Sequence, residues 1–311
     1  MVQIENLSKE FDGYQALKQL NLNIKKGSIY GLVGVNGSGK TTAIKHLSGV
    51  YRQDSGNVTI DGEPVYDNAK LKARVGYIPD DLYFFPQYNL KGLRKFYSNM
   101  YANWNNQRYY YLRAELGLDD RRRVARFSKG MQKQAAFIFA MSIMPDVLIL
   151  DEPIDGLDPI VRRQVFQEII NDVAERQMTV LVSSHNLKEM DGVCDAIGII
   201  KNGKMVIERD LDDLKSDVHK IQIAFDSEES HNKIAGLGLE VLHAEVRGSI
   251  SLLVIRGKED EVSQKIKSMS PLLYDRLPLT LEEIFMYENL EPGSTGYMNK
   301  DEQEGTNNVS Y

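Results

Sequence analysis

The sequence predicts an α/β fold built around a parallel sheet, and three stretches carry this prediction. Residues 28–33 are a short apolar run of the kind that forms a buried parallel strand. Residues 147–150, Val-Leu-Ile-Leu, are a continuous aliphatic run that ends in Asp151 and Glu152. Residues 179–182 are a further apolar run, and polar residues follow it as well. Because ligands bind at the carboxyl ends of strands in such sheets, we expect a ligand site there.

Two more strands are predicted before the first of these runs. Residues 2–7 and 19–24 alternate apolar and polar side chains, as half-buried strands do. Aromatic side chains lie between them at Phe11 and Tyr14. An aromatic ring in this position can stack on a purine face, or it can pack in the core. The residues alone leave both alternatives open.

A glycine-rich loop, Gly-Val-Asn-Gly-Ser-Gly-Lys-Thr-Thr, follows the strand at 28–33, and residues 42–50 read as the helix behind it. The loop fits the pattern G-x-x-x-x-G-K-[ST]. Glycines let the backbone curl so that N–H groups face phosphate oxygens, and the helix start adds unpaired donors. Lys40 is expected to reach the β- and γ-phosphates, and the Thr41 hydroxyl to ligate Mg²⁺. The loop residues predicted to contact a nucleotide are Gly34, Asn36, Gly37, Ser38, Gly39, Lys40, Thr41 and Thr42.

Carboxylates at the end of the strand at 147–150 suggest chemistry on that nucleotide. Asp151 is expected to hold the Mg²⁺ shell opposite Thr41, and Glu152 to act as a base or to orient water. Two capping carboxylates are the alternative. His185 ends the next buried strand. A lone histidine is usually structural, but one at this edge, beside the carboxylates, can contact a γ-phosphate.

The composition limits the classes of protein that fit. A chain of 311 residues has room for one large domain and a small one. A net charge of −6 gives no basis for nucleic-acid binding by bulk electrostatics. The single cysteine, Cys194, cannot form an internal disulfide, which fits a reducing cytosol. We expect no signal peptide, and the most apolar stretch, residues 135–150, is too short to span a bilayer.

Residues 82–118 change in character and are rich in Tyr, Phe, Asn and Gln. We interpret them as a helical insertion with an aromatic surface. Aromatic residues at helical spacing are more often core than interface, but their density here favours a docking surface. The next segment, Phe-Ser-Lys-Gly-Met-Gln-Lys-Gln, leads into an apolar helix. In it Ser128 is placed as an N-cap or an anion-binding hydroxyl, with Gly130 close behind.

The pattern changes again near residue 216, and we predict three regions. Residues 1–215 form the nucleotide-binding domain, with a helical subdomain at about 82–145. Residues 216–290 combine strand and helix patterns in a small α/β domain. Residues 291–311 are rich in Gly, Asn, Ser and acidic residues, and we expect them to be disordered.

Taken together, residues 1–215 resemble the ATP-binding subunit of ATP-binding-cassette (ABC) transporters, which are P-loop NTPases. Residues 34–42 match the Walker A motif of that family, and residues 148–152 match its Walker B motif with the catalytic glutamate. His185 matches the switch histidine, and Phe11 falls at the adenine-stacking aromatic. The resemblance implies ATP and Mg²⁺ as ligands. It also implies a dimer of cassettes, identical or paralogous, in which Ser128 and Gly130 of one face the Walker A motif of the other.

The sequence departs from the family pattern at several positions. Residues 127–131 are the signature segment, because they stand where the family has Leu-Ser-Gly-Gly-Gln, and they carry Lys129 and Met131 in place of a Gly and the Gln of that motif. The loop that usually offers a glutamine to Mg²⁺ offers Asp80, which can still ligate the metal. Ile154-Asp155 replaces the usual Thr-Ser. The acidic residue in the loop at Asp80 and the Ser-Lys-Gly-Met signature are similar to those of the ATPases of Gram-positive bacitracin-resistance and phenol-soluble-modulin exporters, whose membrane subunits are separate chains.

The resemblance therefore implies the ATP-hydrolysing motor of an exporter for a hydrophobic or amphipathic substrate, such as a peptide or an antimicrobial. A separate transmembrane permease would hold it at the cytoplasmic face of the cell membrane. A regulator acting on ribosomes or DNA is the alternative, but the chain has neither a second cassette nor a coiled-coil insertion, and its net acidity argues against nucleic acid. An ATPase that serves a sensing complex is not separated from an exporter by sequence.

Overall fold

The computed structural model describes residues 1–153, 156–225 and 237–288. The chain divides into two compact units between Leu211 and Asp212. The boundary near residue 216 stays a prediction, and the tail at 291–311 lies outside the described residues. No helix among the described residues is long and apolar enough to cross a bilayer.

The larger unit alternates strands and helices along the chain. Its strands are β1 (Val2–Phe11), β2 (Tyr14–Ile24), β3 (Ile29–Val33), β4 (Ser55–Ile60), β5 (Glu63–Pro64), β6 (Val75–Ile78), β7 (Val147–Leu150), β8 (Thr179–Ser184), β9 (Ala196–Lys201) and β10 (Lys204–Asp210). Its helices are α1 (Lys40–Leu47), α2 (Ala69–Lys72), α3 (Leu90–Met100), α4 (Asn106–Glu115), α5 (Lys129–Ser142) and α6 (Pro159–Arg176).

A six-stranded sheet with the order β10-β9-β3-β8-β7-β6 holds the three apolar runs that the sequence singles out. All neighbours from β9 to β6 pair in parallel, and β10 pairs antiparallel at the edge. Every residue of β3, β7 and β8 is buried, as expected of parallel strands that are covered on both faces. The predicted parallel sheet is therefore confirmed. Since β3, β8 and β7 are neighbours, the polar residues that follow them meet at one edge.

The first strands form a second, antiparallel sheet with the order β2-β1-β4-β5. One core cluster joins its apolar face to the helix behind the glycine-rich loop and to the parallel sheet. That cluster includes Leu7, Leu17, Leu22, Leu32, Ile44, Leu47 and Ile149. The loop is therefore held by the main core of this unit rather than by surface contacts.

Helices α3 and α4 lie in the segment predicted as a helical insertion, and α5 lies in the wider predicted helical subdomain. Asn89, Asn105 and Ser128 cap their first turns, each through a side-chain oxygen that accepts a backbone N–H. The aromatic residues divide between core and surface. Tyr109 and Phe139 are fully buried, whereas a second group is exposed: Tyr83, Phe85, Phe96, Tyr110 and Tyr111. The core alternative is thus correct for the buried group, and a docking surface stays a prediction for the exposed group.

The described residues of the smaller unit form a four-stranded antiparallel sheet and the helices that accompany it. Helix α7 (Leu211–Asp217) spans the division of the chain, and the elements that follow are β11 (Val218–Ala224), β12 (Glu240–Arg247), β13 (Ile250–Arg256), α8 (Glu259–Lys267), β14 (Leu273–Leu277) and α9 (Leu281–Glu288). The strand order is β12-β13-β11-β14. Its core packs Val262 and Ile266 of α8 against Ile221, Ile223 and Leu253.

Candidate functional site

The glycine-rich loop connects β3 to α1 in a conformation that requires its glycines. Gly37 and Gly39 have φ values of 78° and 113°, which favour glycine. A Cβ atom on Gly34 would lie 2.5 Å from the carbonyl oxygen of Ile200, so no side chain fits there. Gly39 caps α1 without a side-chain hydrogen bond, which leaves the first N–H groups of the helix as donors for an anion. The helix begins at Lys40, two residues before the predicted start.

Lys40 extends from the first turn of α1 into the centre of the site. Its side chain is 5% exposed, and its Nζ donates a hydrogen bond of 2.6 Å to the carbonyl oxygen of Gly34. The same nitrogen lies 3.2 Å from Glu152 Oε1, as an ion pair without an aligned hydrogen bond. The Ser38 hydroxyl is buried nearby in the loop and makes no hydrogen bond within the described part of the chain. An ammonium and a spare hydroxyl in this loop suit a phosphate group.

Asp151 follows the last residue of β7 and is almost fully buried. Its Oδ1 accepts a hydrogen bond of 2.7 Å from Ser183, whereas its Oδ2 is buried without a hydrogen-bond partner among the described residues. Burial raises the pKa of Asp151, the hydroxyls of Ser183 and Thr41 oppose this, and the charges of Asp80 and Glu152 add to the rise. Ionisation of the Asp151 carboxyl group is therefore unfavourable in this buried position, and a bound cation would offset that cost.

These residues fit a Mg²⁺ ion. A buried, unpaired carboxylate oxygen and a neighbouring threonine hydroxyl are hard oxygen ligands, and Mg²⁺ commonly binds through one or two such groups together with substrate phosphates. The described residues contain no group of three or more His, Cys, Asp or Glu that could hold a metal by themselves. Phosphate oxygens would therefore have to complete the coordination shell.

Glu152 is restrained by hydrogen bonds at both of its backbone polar groups. Its φ of 48° is left-handed, a conformation that costs about 1–3 kcal/mol in a residue other than glycine. Its N–H donates to the Ser183 hydroxyl at 3.0 Å, and its carbonyl oxygen accepts from Lys133 Nζ at 2.6 Å. Backbone strain that the surroundings maintain is a recognised feature of active sites.

His185 completes the cluster from the end of β8. Its Nδ1 lies 3.0 Å from Glu152 Oε2, and its side chain is 46% exposed, so the ring can also contact a ligand. The loop around it is fixed, because the Ser184 hydroxyl donates to Glu189 at 2.5 Å. The structure therefore brings together the three predicted catalytic side chains, Lys40, Glu152 and His185.

The other predicted residues lie around this centre. Phe11 ends β1, is 36% exposed and packs edge-on against Tyr51 at a centroid distance of 5.4 Å, so its ring is not part of the core. The Ser128 hydroxyl accepts the N–H of Met131 at 3.2 Å, and a Cβ atom on Gly130 would lie 2.7 Å from the carbonyl oxygen of Gly156. Ser128 is thus an N-cap, and its second role as an anion-binding hydroxyl stays a prediction.

Sequence reasoning missed two residues of the site. Ser183 bonds both Asp151 and the N–H of Glu152, and Lys133 bonds the carbonyl oxygen of Glu152 and lies 3.6 Å from Asp80 Oδ1. Within residues 183–185, the sequence predicts a functional role for the histidine alone. No sequence signal marks Lys133, because its partners lie far from it along the chain.

Known proteins resemble this chain in sequence and in fold. The profile of the family described as ABC transporter matches residues 17–155. The ABC transporter ATP-binding protein YtrB of Bacillus subtilis (strain 168) is 31% identical over 92% of this chain and 97% of its own length. The bacitracin transport ATP-binding protein BcrA of Bacillus licheniformis is 32% identical over 69% of this chain and 71% of its own length.

A solved structure of an ATP-binding subunit of an ABC transporter superposes with a TM-score of 0.64, at 26% identity, over 69% of this chain and 92% of that one. The sequence match to YtrB extends through nearly the whole of both chains. The glycine-rich loop, the Asp151–Glu152 pair and His185 stand at one edge of the sheet, as the family resemblance implies. The chain belongs to the ABC transporter family, as an ATP-binding subunit with ATPase function.

Proposed function

We propose that this chain is the motor subunit of an ABC exporter for a hydrophobic or amphipathic substrate of the peptide or antimicrobial class. The observation that carries the catalytic part is the convergence of Lys40 and His185 on the two carboxylate oxygens of Glu152, at 3.2 and 3.0 Å. The transport part is supported by BcrA, a relative named for bacitracin transport.

Each side chain has a distinct task in this proposal. Lys40 and the N–H groups at the start of α1 bind the β- and γ-phosphates of ATP. Thr41 and Asp151 would hold Mg²⁺, with Asp80 as a further candidate ligand, and the ion neutralises phosphate charge when bound. Glu152 orients a water molecule for attack on the γ-phosphorus and accepts its proton. His185 stabilises the charge that develops on the γ-phosphate.

We further propose that two cassettes close on ATP. Within one chain the Ser128 hydroxyl accepts the N–H of Met131, and Gly130 leaves no room for a side chain beside the carbonyl oxygen of Gly156. We propose that both residues approach the γ-phosphate held by the Walker A loop of a second subunit. The exposed aromatic residues of the helical insertion supply an apolar surface for a transmembrane permease, which would hold the subunit at the cytoplasmic face of the membrane.

The substitution Glu152→Gln tests the catalytic part. Loss of proton acceptance and of water orientation should lower kcat for ATP hydrolysis at least about 100-fold while ATP still binds. The matched control is Glu175→Gln, which changes an exposed carboxylate of α6 and should leave kcat unchanged. Hydrolysis at the wild-type rate in the Glu152 variant would remove this residue from its role.

Affinity purification from membranes tests the transport part. We expect a multi-span membrane protein to co-purify with the tagged chain in mild detergent. Recovery with ribosomes or DNA instead would contradict the exporter assignment.

A further inference from the structure

We propose that Lys133 is a positioning residue for ATP hydrolysis, which holds the backbone of Glu152 and the carboxylate of Asp80 together so that Glu152 faces the reacting phosphate. The proposal rests on the catalytic role proposed above for Glu152. It predicts that loss of the lysine lowers turnover without weakening ATP binding.

Lys133 is mostly buried, and its surroundings offer its ammonium group few polar partners. It lies in the second turn of α5, and its side chain is only 10% exposed. Ile78, Phe137 and Leu150 line a small apolar cavity together with it. Its Nζ lies 2.6 Å from the carbonyl oxygen of Glu152 and 3.6 Å from Asp80 Oδ1. A charge in such surroundings is stable only when it is paired, so these two oxygens fix where the ammonium sits.

Glu152 depends on side chains for the direction of its backbone. It lies beyond β7, and its left-handed φ of 48° is held by two hydrogen bonds from different elements. The N–H is fixed by Ser183 of β8, and the carbonyl oxygen by Lys133 of α5. Because the direction of the carboxylate follows from this backbone, removal of Lys133 releases one of the two restraints and leaves a carbonyl oxygen without its donor.

Lys133 also connects the helix of the signature segment to the catalytic edge. Helix α5 begins at the Ser128 cap, and Lys133 reaches from it to Glu152, beyond β7, and to Asp80, beyond β6. A displacement of α5 relative to the parallel sheet would stretch the 2.6 Å bond and turn Glu152. One lysine thereby makes the direction of the carboxylate depend on the position of α5.

The pairing also gives a reason for Asp80. The resemblance implies that most members of the family have a glutamine at this position, and its amide carries no charge. Asp80 instead offers a full negative charge that Lys133 can bind. Asp80 is 55% exposed and so retains contact with water while Lys133 anchors it. The ammonium of Lys133 thus holds both the loop after β6, through Asp80, and the backbone of Glu152.

Three variants test the proposal in the full-length chain. Lys133→Met keeps the apolar stem and removes the donor, Lys133→Arg keeps the charge and the donors, and Lys95→Met removes an exposed lysine of α3 as a control. We expect kcat to fall about 10- to 100-fold in Lys133→Met, since small errors in positioning are costly. KM for ATP and the Kd of a non-hydrolysable ATP analogue should change less than about twofold, because the phosphate ligands are untouched. Lys133→Arg should recover most of kcat, and Lys95→Met should behave as wild type.

Combination with Glu152→Gln separates a positioning role from general damage. If Lys133 acts through Glu152, Lys133→Met should cause no further loss of kcat in the Glu152→Gln background. If Lys133→Met fails to fold, Lys133→Gln replaces it in the same comparison. A wild-type kcat in Lys133→Met (or in Lys133→Gln, where that variant replaces it), an equal loss of ATP affinity, or full additivity with Glu152→Gln would overturn the proposal.

The same measurements distinguish the two proposals. If Glu152→Gln hydrolyses ATP at the wild-type rate, the catalytic assignment of Glu152 fails, and the role of Lys133 fails with it. If Glu152→Gln is inactive while Lys133→Met retains full turnover, only the role of Lys133 is wrong.

Discussion

Buried polar groups at the carboxyl edge of the parallel sheet lack hydrogen-bond partners within the described part of the chain, whereas a buried histidine of the smaller C-terminal unit is hydrogen-bonded at both ring nitrogens. At the edge, Ser38 Oγ and Asp151 Oδ2 are buried without hydrogen-bond partners among the described residues, and Glu152 has a strained backbone. In the smaller unit, His219 Nε2 donates to the carbonyl oxygen of Gly257 and its Nδ1 accepts from Arg276. Unpaired buried oxygens beside a phosphate loop mark a place that a ligand completes, whereas paired ones mark a scaffold.

The largest effect should come from Asp151→Asn. The amide keeps its acceptor for Ser183 and removes the buried charge, so hydrolysis should fall about 100- to 1000-fold as Mg²⁺ is lost. Steady-state ATPase assays over a range of Mg²⁺ concentrations measure this. Activity that stays at the wild-type level would show that Asp151 does not hold the metal.

The same variant should be more stable than the wild type in the absence of nucleotide. Folding raises the pKa of Asp151 above its ordinary value of 3.8, so the wild type loses stability as the pH rises through that range. The gain in Tm from Asp151→Asn should therefore be larger at pH 7 than near pH 4. Thermal unfolding at the two pH values checks the sign, and a larger gain at the lower pH would contradict it.

The substitution Ile223→Ala should destabilise the smaller unit and leave the candidate site at the carboxyl edge of the parallel sheet unchanged. Ile223 is fully buried in the core of the smaller unit, and truncation there costs about 2–5 kcal/mol. We expect urea denaturation to show this loss in an early transition. Hydrolysis measured below that transition should be unchanged, because every candidate site residue lies in the larger unit. A matching loss of kcat would show that the two units are coupled in catalysis.

A smaller effect is expected at Phe11. Removal of a stacking ring costs about 1–3 kcal/mol, so Phe11→Ala should weaken ATP binding roughly tenfold, and Phe11→Tyr should restore it. Tyr14 is 63% exposed and provides the matched control as Tyr14→Ala. Titration with a fluorescent ATP analogue measures both. If the Tyr14 variant alone loses affinity, the choice of Phe11 is wrong.

The smallest effect on folding should come from Ser128. Ser128→Ala removes the cap of α5 and should cost about 1 kcal/mol. Ser128→Asp keeps an N-cap and should restore the stability, but its charge would oppose a γ-phosphate, so hydrolysis should stay low. Chemical denaturation and ATPase rates together separate the two roles. Full activity in Ser128→Asp would leave the cap as the only role.

Local sequence patterns predict which residues lie in the site at the carboxyl edge of the sheet, because most of them directly follow strand ends. The run at 147–150 coincides with β7, and the Walker A, Asp151–Glu152 and His185 segments meet as predicted. Contacts between distant segments were not predictable in this way. Lys133 and Ser183 act on Glu152 from other elements, and only the order of the strands brings them there.

The oligomeric state of the Glu152→Gln variant tests the central claim most directly. Light scattering in the presence of ATP and Mg²⁺ should show that this variant is a stable dimer. The double variant that also carries Lys40→Met should be a monomer, because Lys40 binds the phosphates. An ATP-bound monomer of Glu152→Gln, alongside a wild-type chain that hydrolyses ATP at full rate as a monomer, would contradict the claim that two subunits complete the site.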